Sequence, residues 1–137
     1  MFKVKIFTVG KTREPWLQAA LAEYEKRLSA YAKIQWMLAK NSDELAAKAM
    51  QESPWIALDV RGELVDSPRA SQKLLKIGAR WNFVIGDAEG LPSPLLEKSA
   101  WRWSLSPLTF THQMTRLVLL EQIYRALEIN AGSSYHK

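Results

Sequence analysis

Two histidines, His112 and His136, are the side chains of this 137-residue chain best suited to exchange a proton near neutral pH. His112 falls at the expected start of a long helix, where a structural role is favoured over shaping a binding loop. His136 follows Tyr135 one residue before the end, a place where most proteins carry an idle tail. Glu121 and Arg125 stand at the spacing of an intrahelical ion pair. Glu89 is a turn anchor or a base, with the turn favoured. Gly86-Asp-Ala-Glu-Gly90 and Ser104-Leu-Ser-Pro-Leu-Thr109 read, each alone, as polar connections. Together they are two successive loops at the carboxyl ends of strands, where open α/β sheets bind small ligands. There is no phosphate-binding glycine loop, neither a Walker pattern nor GxGxxG, and no cluster of metal-ligand residues.

The elements that must position these residues can be read from the periodicity. Phe2–Val9 is an expected strand, followed by Gly10 and a basic loop, Lys11-Thr12-Arg13. Pro15 suits the first turn of a helix that carries Leu17, Leu21, Tyr24, Leu28 and Tyr31 on one side. Lys33–Ala39 is a second strand, and Asn41 with Glu44 opens a helix through about Gln51. Pro54–Val60 is a third strand. Ser67-Pro68 is read as N-cap and first turn of a helix ending near Gly78. Trp81–Ile85 is the fourth strand, and Trp101, Trp103 and Leu105 share one face of a fifth, with Arg102 and Ser104 on the other. Thr111 caps a last helix that runs to Ala131 and stops at Gly132. The alternation predicts one α/β domain over residues 1–137, a mostly parallel sheet flanked by helices.

That last helix contains Leu117-Val118-Leu119-Leu120, four apolar side chains at 100° steps that cover its circumference. One face can pack on the sheet and the opposite face needs another cover, which predicts a homodimer. The formal charge is +5, which favours a polyanionic partner. The six tryptophans are expected in core and interface before any base-stacking surface. The absence of cysteine excludes disulfides and points to a reducing, cytoplasmic setting. No apolar run is long enough to span a bilayer, so no membrane partner is expected, and no metal.

The order of several short motifs decides among these readings. Phe83-Val-Ile-Gly86, Glu89-Gly90-Leu91, Leu105-Ser-Pro-Leu-Thr-Phe110, His112-Gln-Met-Thr-Arg116, Glu121-Gln-Ile-Tyr-Arg-Ala126 and Tyr135-His136-Lys137 resemble the RlmH family. Its members are 23S rRNA (pseudouridine 1915-N3)-methyltransferases of the SPOUT class. Val9-Gly10-Lys11, Ala22–Leu28, Ala57-Leu58-Asp59 and Gly62 match as well, so the likeness covers essentially the whole chain.

The resemblance implies a carboxyl-terminal trefoil knot, an exception to the usual unknotted chain, and a working homodimer. It implies S-adenosyl-L-methionine bound at Leu58, Gly86 and the loop Leu105, Ser106, Pro107, Leu108, Thr109 and Phe110, with Gly86 allowing close approach to the ligand. The substrate would be a pseudouridine in 23S rRNA of the assembled ribosome. Tyr135 and His136 would fold over the cofactor mouth, with His136 against the base or its proton. Arg125 would either remain in its pair with Glu121 or be lent across the dimer to the RNA. Competing readings are a knotted RNA-binding protein without catalysis and a SPOUT enzyme acting on another RNA.

Three departures from the family pattern stand out. Gly86 is followed by Asp87 where a second glycine is usual, which sets a negative charge at the cofactor mouth. Thr111 replaces the common proline before the helix-opening histidine, and the stretch between the second and third strands is short.

Overall fold

The structure, a computed structural model, describes residues 1–135. Five strands form one parallel sheet in the order β2-β1-β4-β3-β5: β1 (Phe2–Val9), β2 (Ala32–Ala39), β3 (Ile56–Leu64), β4 (Arg80–Ile85) and β5 (Trp101–Ser104). Helices α1 (Pro15–Leu28), α3 (Ser67–Ile77) and α5 (His112–Asn130) cover one face, and α2 (Ser42–Ala49) and the short α4 (Ser93–Glu97) the other. The strand alternation sorts the side chains accordingly. Val4, Ile6, Trp81 and Phe83 join the larger core under α1, α3 and α5, while Phe7, Val84, Leu45 and Leu95 form the smaller one under α2 and α4.

Local chemistry sets most of the boundaries. Asn41 accepts the Glu44 amide at 2.9 Å and starts α2, and Thr111 accepts the Met114 amide at 3.2 Å and starts α5. Ser67 is not the cap of α3. Asp66 accepts the Arg69 amide at 2.9 Å, which frees the Ser67 hydroxyl to donate to Gln122 Oε1 on α5 at 3.1 Å. A carboxylate one residue earlier took the capping role because Pro68 then stands in the first turn equally well.

Two further expectations are corrected. β3 runs past Val60 to Leu64, because its second half pairs with β5 after a register shift between Leu58 and Glu63. At that shift a Cβ on Gly62 would lie 2.7 Å from the Arg102 carbonyl carbon and oxygen, so only glycine fits. β5 stops at Ser104, which is buried and donates to the Ser106 carbonyl at 3.0 Å instead of facing solvent. Leu105 leaves the strand and lines a cleft. Helix α4 had no sequence signal, since five residues are too few for a periodicity.

Four tryptophans, Trp55, Trp81, Trp101 and Trp103, are buried, whereas Trp16 is 57% exposed. No helix among the described residues is long and apolar enough to cross a membrane.

Candidate active site

The carboxyl ends of β1, β3, β4 and β5 open onto one cleft of about 880 Å³. Leu58 and Asp59 come from β3, Gly86 to Leu91 from the loop after β4, and Leu105, Ser106, Leu108, Thr109 and Phe110 from the loop after β5. Arg13, Trp16 and His112 close its other side. Seven of the eight residues expected at the cofactor thus converge in space; Pro107 is not among the lining residues.

The loop after β5 holds itself in shape. The Ser106 hydroxyl accepts the Leu108 amide at 2.9 Å, a short turn closed by a side chain. At Thr111 the backbone has φ −62°, the angle a proline would impose, so the usual proline and this threonine fit the same geometry. The threonine adds the capping bond.

The turn after β4 works differently from expectation. A Cβ at Gly86 would meet the Gly90 carbonyl carbon at 2.7 Å, so the missing side chain admits the Gly90 backbone rather than a ligand. Gly90 itself has φ +80°. Asp87 is not a loose charge at the mouth. Its Oδ1 accepts the Glu89 amide at 3.0 Å and its Oδ2 accepts the Ser42 hydroxyl at 2.9 Å, tying the turn to α2. Glu89 contributes its amide to this turn, while the anchoring carboxylate is that of Asp87.

One residue behind the cleft had no warning in the periodicity. Arg116 projects from α5 into the interior and is fully buried. Its Nη1 donates to Thr12 Oγ1 at 2.9 Å. Its Nη2 reaches Thr8 Oγ1 at 3.1 Å and the carbonyls of Val9 and Gly10, both at 2.8 Å. Burial, helped by the Arg13 charge, depresses its pKa to about 10, so it remains a cation at neutral pH. Gln113 completes the clamp by donating to the Lys11 carbonyl at 3.0 Å and accepting the Arg13 amide at 3.3 Å. The signal that could have found Arg116 is a charged residue on the same helical stripe as Leu119, Leu120 and Ile123.

His112 lines the cleft, and its pKa is lowered by burial first and then by the charges of Arg116 and Arg13, against an opposing pull from Asp87. It is therefore neutral at pH 7. Its Nε2 lies 3.4 Å from the Gln113 amide nitrogen, a structural contact compatible with the expected role.

Tyr135 and Arg125 lie elsewhere on the same chain. The Tyr135 hydroxyl donates to Glu121 Oε2 at 2.8 Å, its ring packs 4.9 Å from that of Tyr124, and the Arg125 guanidinium stands 4.9 Å over it. Arg125 is also paired with Glu121 at 2.8 Å. The hydrogen bond to Glu121 raises the Tyr135 pKa to about 12, so this phenol keeps its proton and can only donate it in a hydrogen bond. Neither residue lines the cleft of its own chain. His136 lies outside the described residues. No group of metal-binding side chains occurs among the described residues.

Two comparisons bear on this geometry. A family model described as "Predicted SPOUT methyltransferase" matches residues 2–136. A relative from Protochlamydia amoebophila (strain UWE25), named "Ribosomal RNA large subunit methyltransferase H", is 48% identical over the full length of both chains. The chain belongs to the RlmH family of SPOUT methyltransferases. In this methyltransferase the cleft at the strand ends is the candidate site of methyl transfer, and Arg116 and Asp87 are the residues that hold two of its walls in place.

Proposed function

We propose that this methyltransferase takes a methyl group from S-adenosyl-L-methionine and places it on N3 of pseudouridine 1915 of 23S rRNA in the ribosome. The observation that carries the reading is the convergence of Leu58, Gly86 and the loop Leu105–Phe110 on one cleft in a chain 48% identical to an rRNA methyltransferase. The lining suits that donor. Leu58, Ile85, Leu105 and Met114 give apolar walls for a purine, and loop backbone is available for its polar edges. There is no phosphate-cradling loop, in keeping with a cofactor that has no phosphate. The reading includes the trefoil knot through the carboxyl-terminal segment and a cytoplasmic location set by the ribosome.

When bound, the cofactor supplies a methyl group on a sulfonium. The N3–H proton of the base must leave as the new N–C bond forms and the S–C bond breaks. The chain's work is to align donor and acceptor and to stabilise the developing imidate. Tyr135, its hydroxyl proton held by Glu121, positions the Arg125 guanidinium over its ring, Arg125 supplies positive charge, and His136 accepts the proton. Tyr135 and Arg125 do not line their own cleft, and the reading assigns them to the cleft of a second copy in a working homodimer. Asp87 is held in its turn by bonds on both oxygens, which supports the catalytic reading over a non-catalytic one.

The test begins with calorimetric titration of the cofactor against wild type and Thr109→Trp, a substitution on the exposed cleft wall. Gly86→Trp is unsuitable, because it would break the turn against Gly90. Incubation with unmodified ribosomes, followed by mass spectrometry of rRNA fragments, then locates the methyl group. Binding by wild type alone, with one methyl on N3 of that pseudouridine, is expected. A methyl on any other nucleotide, or none, overturns the substrate assignment.

A further inference from the structure

At the opposite end of the strands from the cleft, three cations stand side by side on one face of the sheet. Lys3 is paired in register with Lys33 of β2 on one side and with Arg80 of β4 on the other. Neighbours in register on parallel strands point to the same face. Val4 and Trp81 lie in the larger core, so Lys3, Lys33 and Arg80 face the side that carries α2 and α4. Those helices cover only the upper half of that face, over Phe7, Ala39 and Val84. The lower row is open, and all three cations are exposed.

Like charges directly across a ladder are destabilising. With strands about 4.8 Å apart, the three Cα atoms span only about 10 Å. No ion pair relieves them. Lys5 in the next row is paired with Glu52 from the segment after α2, and none of the three joins a salt bridge among the described residues. Gln35 and Asn82 flank Lys5 in that row, so the polar surface continues upward without another acid. Such a ladder is held together best by an anion that bridges it.

We propose that the Lys3–Lys33–Arg80 row is a docking surface for the phosphate backbone of RNA, separate from the cleft. The inference rests on the rRNA reading above and adds a second point of attachment. Successive phosphates of one strand would lie along the row of cations. Binding there would release counterions without reading sequence. It would raise affinity for the ribosome and leave the chemistry at the cleft unchanged.

The test is the triple variant Lys3→Glu, Lys33→Glu, Arg80→Glu, which keeps an equally crowded like-charge row and so isolates the sign of the charge. Three quantities are compared with wild type: KM for ribosomes at several salt concentrations, kcat at saturating ribosomes, and cofactor affinity by calorimetry. KM is expected to rise at least tenfold with kcat and cofactor affinity retained, and the dependence of log affinity on log salt to flatten by about two to three units. Wild-type KM and salt dependence in the variant would overturn the proposal, as would a changed sedimentation coefficient, which would make the row a contact between copies. A wild type that methylates no ribosome would instead overturn the substrate reading.

Discussion

Arg116 shows how a single side chain can set a site without touching a substrate. Its guanidinium replaces water for the Val9 and Gly10 carbonyls and two threonine hydroxyls, so the loop between β1 and α1 is held from within. Arg116→Met strips these buried and half-buried acceptors of their donor, and is expected to cost about 3 kcal/mol by denaturant unfolding, with loss of cofactor binding. Its charge also acts on its neighbour. His112 should titrate below its ordinary value of 6.5 when followed by proton NMR, and Arg13→Ala should move that titration upward by removing a like charge. Because the folded state disfavours the charged imidazole, this histidine's contribution is fully present above pH 6.5 and is lost as the pH falls through the lowered folded value. An unmoved titration in Arg13→Ala would place the arginine away from the ring.

The elements of this chain meet through close backbone approaches that only glycine permits. At Gly62 the β3 backbone crosses β5 so closely that a methyl group would collide with the Arg102 carbonyl, and at Gly86 the strand end collides likewise with Gly90. Gly62→Ala is expected to destabilise the fold by about 2 kcal/mol, read from the midpoint of urea unfolding, since the obstacle is backbone rather than a yielding side chain. Gly86→Ala should weaken cofactor binding more than tenfold in calorimetry, because the turn that carries Asp87 must shift. Full affinity in Gly86→Ala would show that the turn relaxes without disturbing the cleft. Helix α5 binds the elements to each other. It packs on α1 and α3, caps with Thr111, and sends Arg116 and Gln113 into the loop after β1.

For the whole molecule, the division of labour between the two ends of the sheet follows from its parallel strands. All five carboxyl ends point one way, and the connecting loops there enclose the cleft. The amino ends carry the row of cations. Helix α5 places Leu117 and Val118 at intermediate exposure, beside the partly exposed Tyr124 and Tyr135, a surface suited to a second copy. Sedimentation at micromolar concentration is expected to show a dimer, and Tyr135→Ala to lower catalysis while cofactor affinity stays intact. A monomer with full activity would confine every catalytic group to one chain, which is incompatible with Tyr135 and Arg125 acting at a cleft they do not line.

Within the sequence, the alternating β and α periods and the caps at Asn41 and Thr111 were enough to give a parallel α/β sheet, since these depend on local spacing, while the ordered motifs gave the resemblance that implied the cofactor loop. The family followed from the same motifs. Other features depended on which residues meet across the fold. The Asp66 cap was hidden because two capping residues stood side by side and only the bond from Ser67 to the distant Gln122 separated their roles. Asp87 read as a free charge at the mouth until Ser42, far away in sequence, was found against it. Lys3, Lys33 and Arg80 are three unremarkable surface charges in the chain, and only strand order and register make them a row. Tertiary structure decided these matters because hydrogen-bond partners and like-charge neighbours are set by distance in space, which local periodicity does not encode.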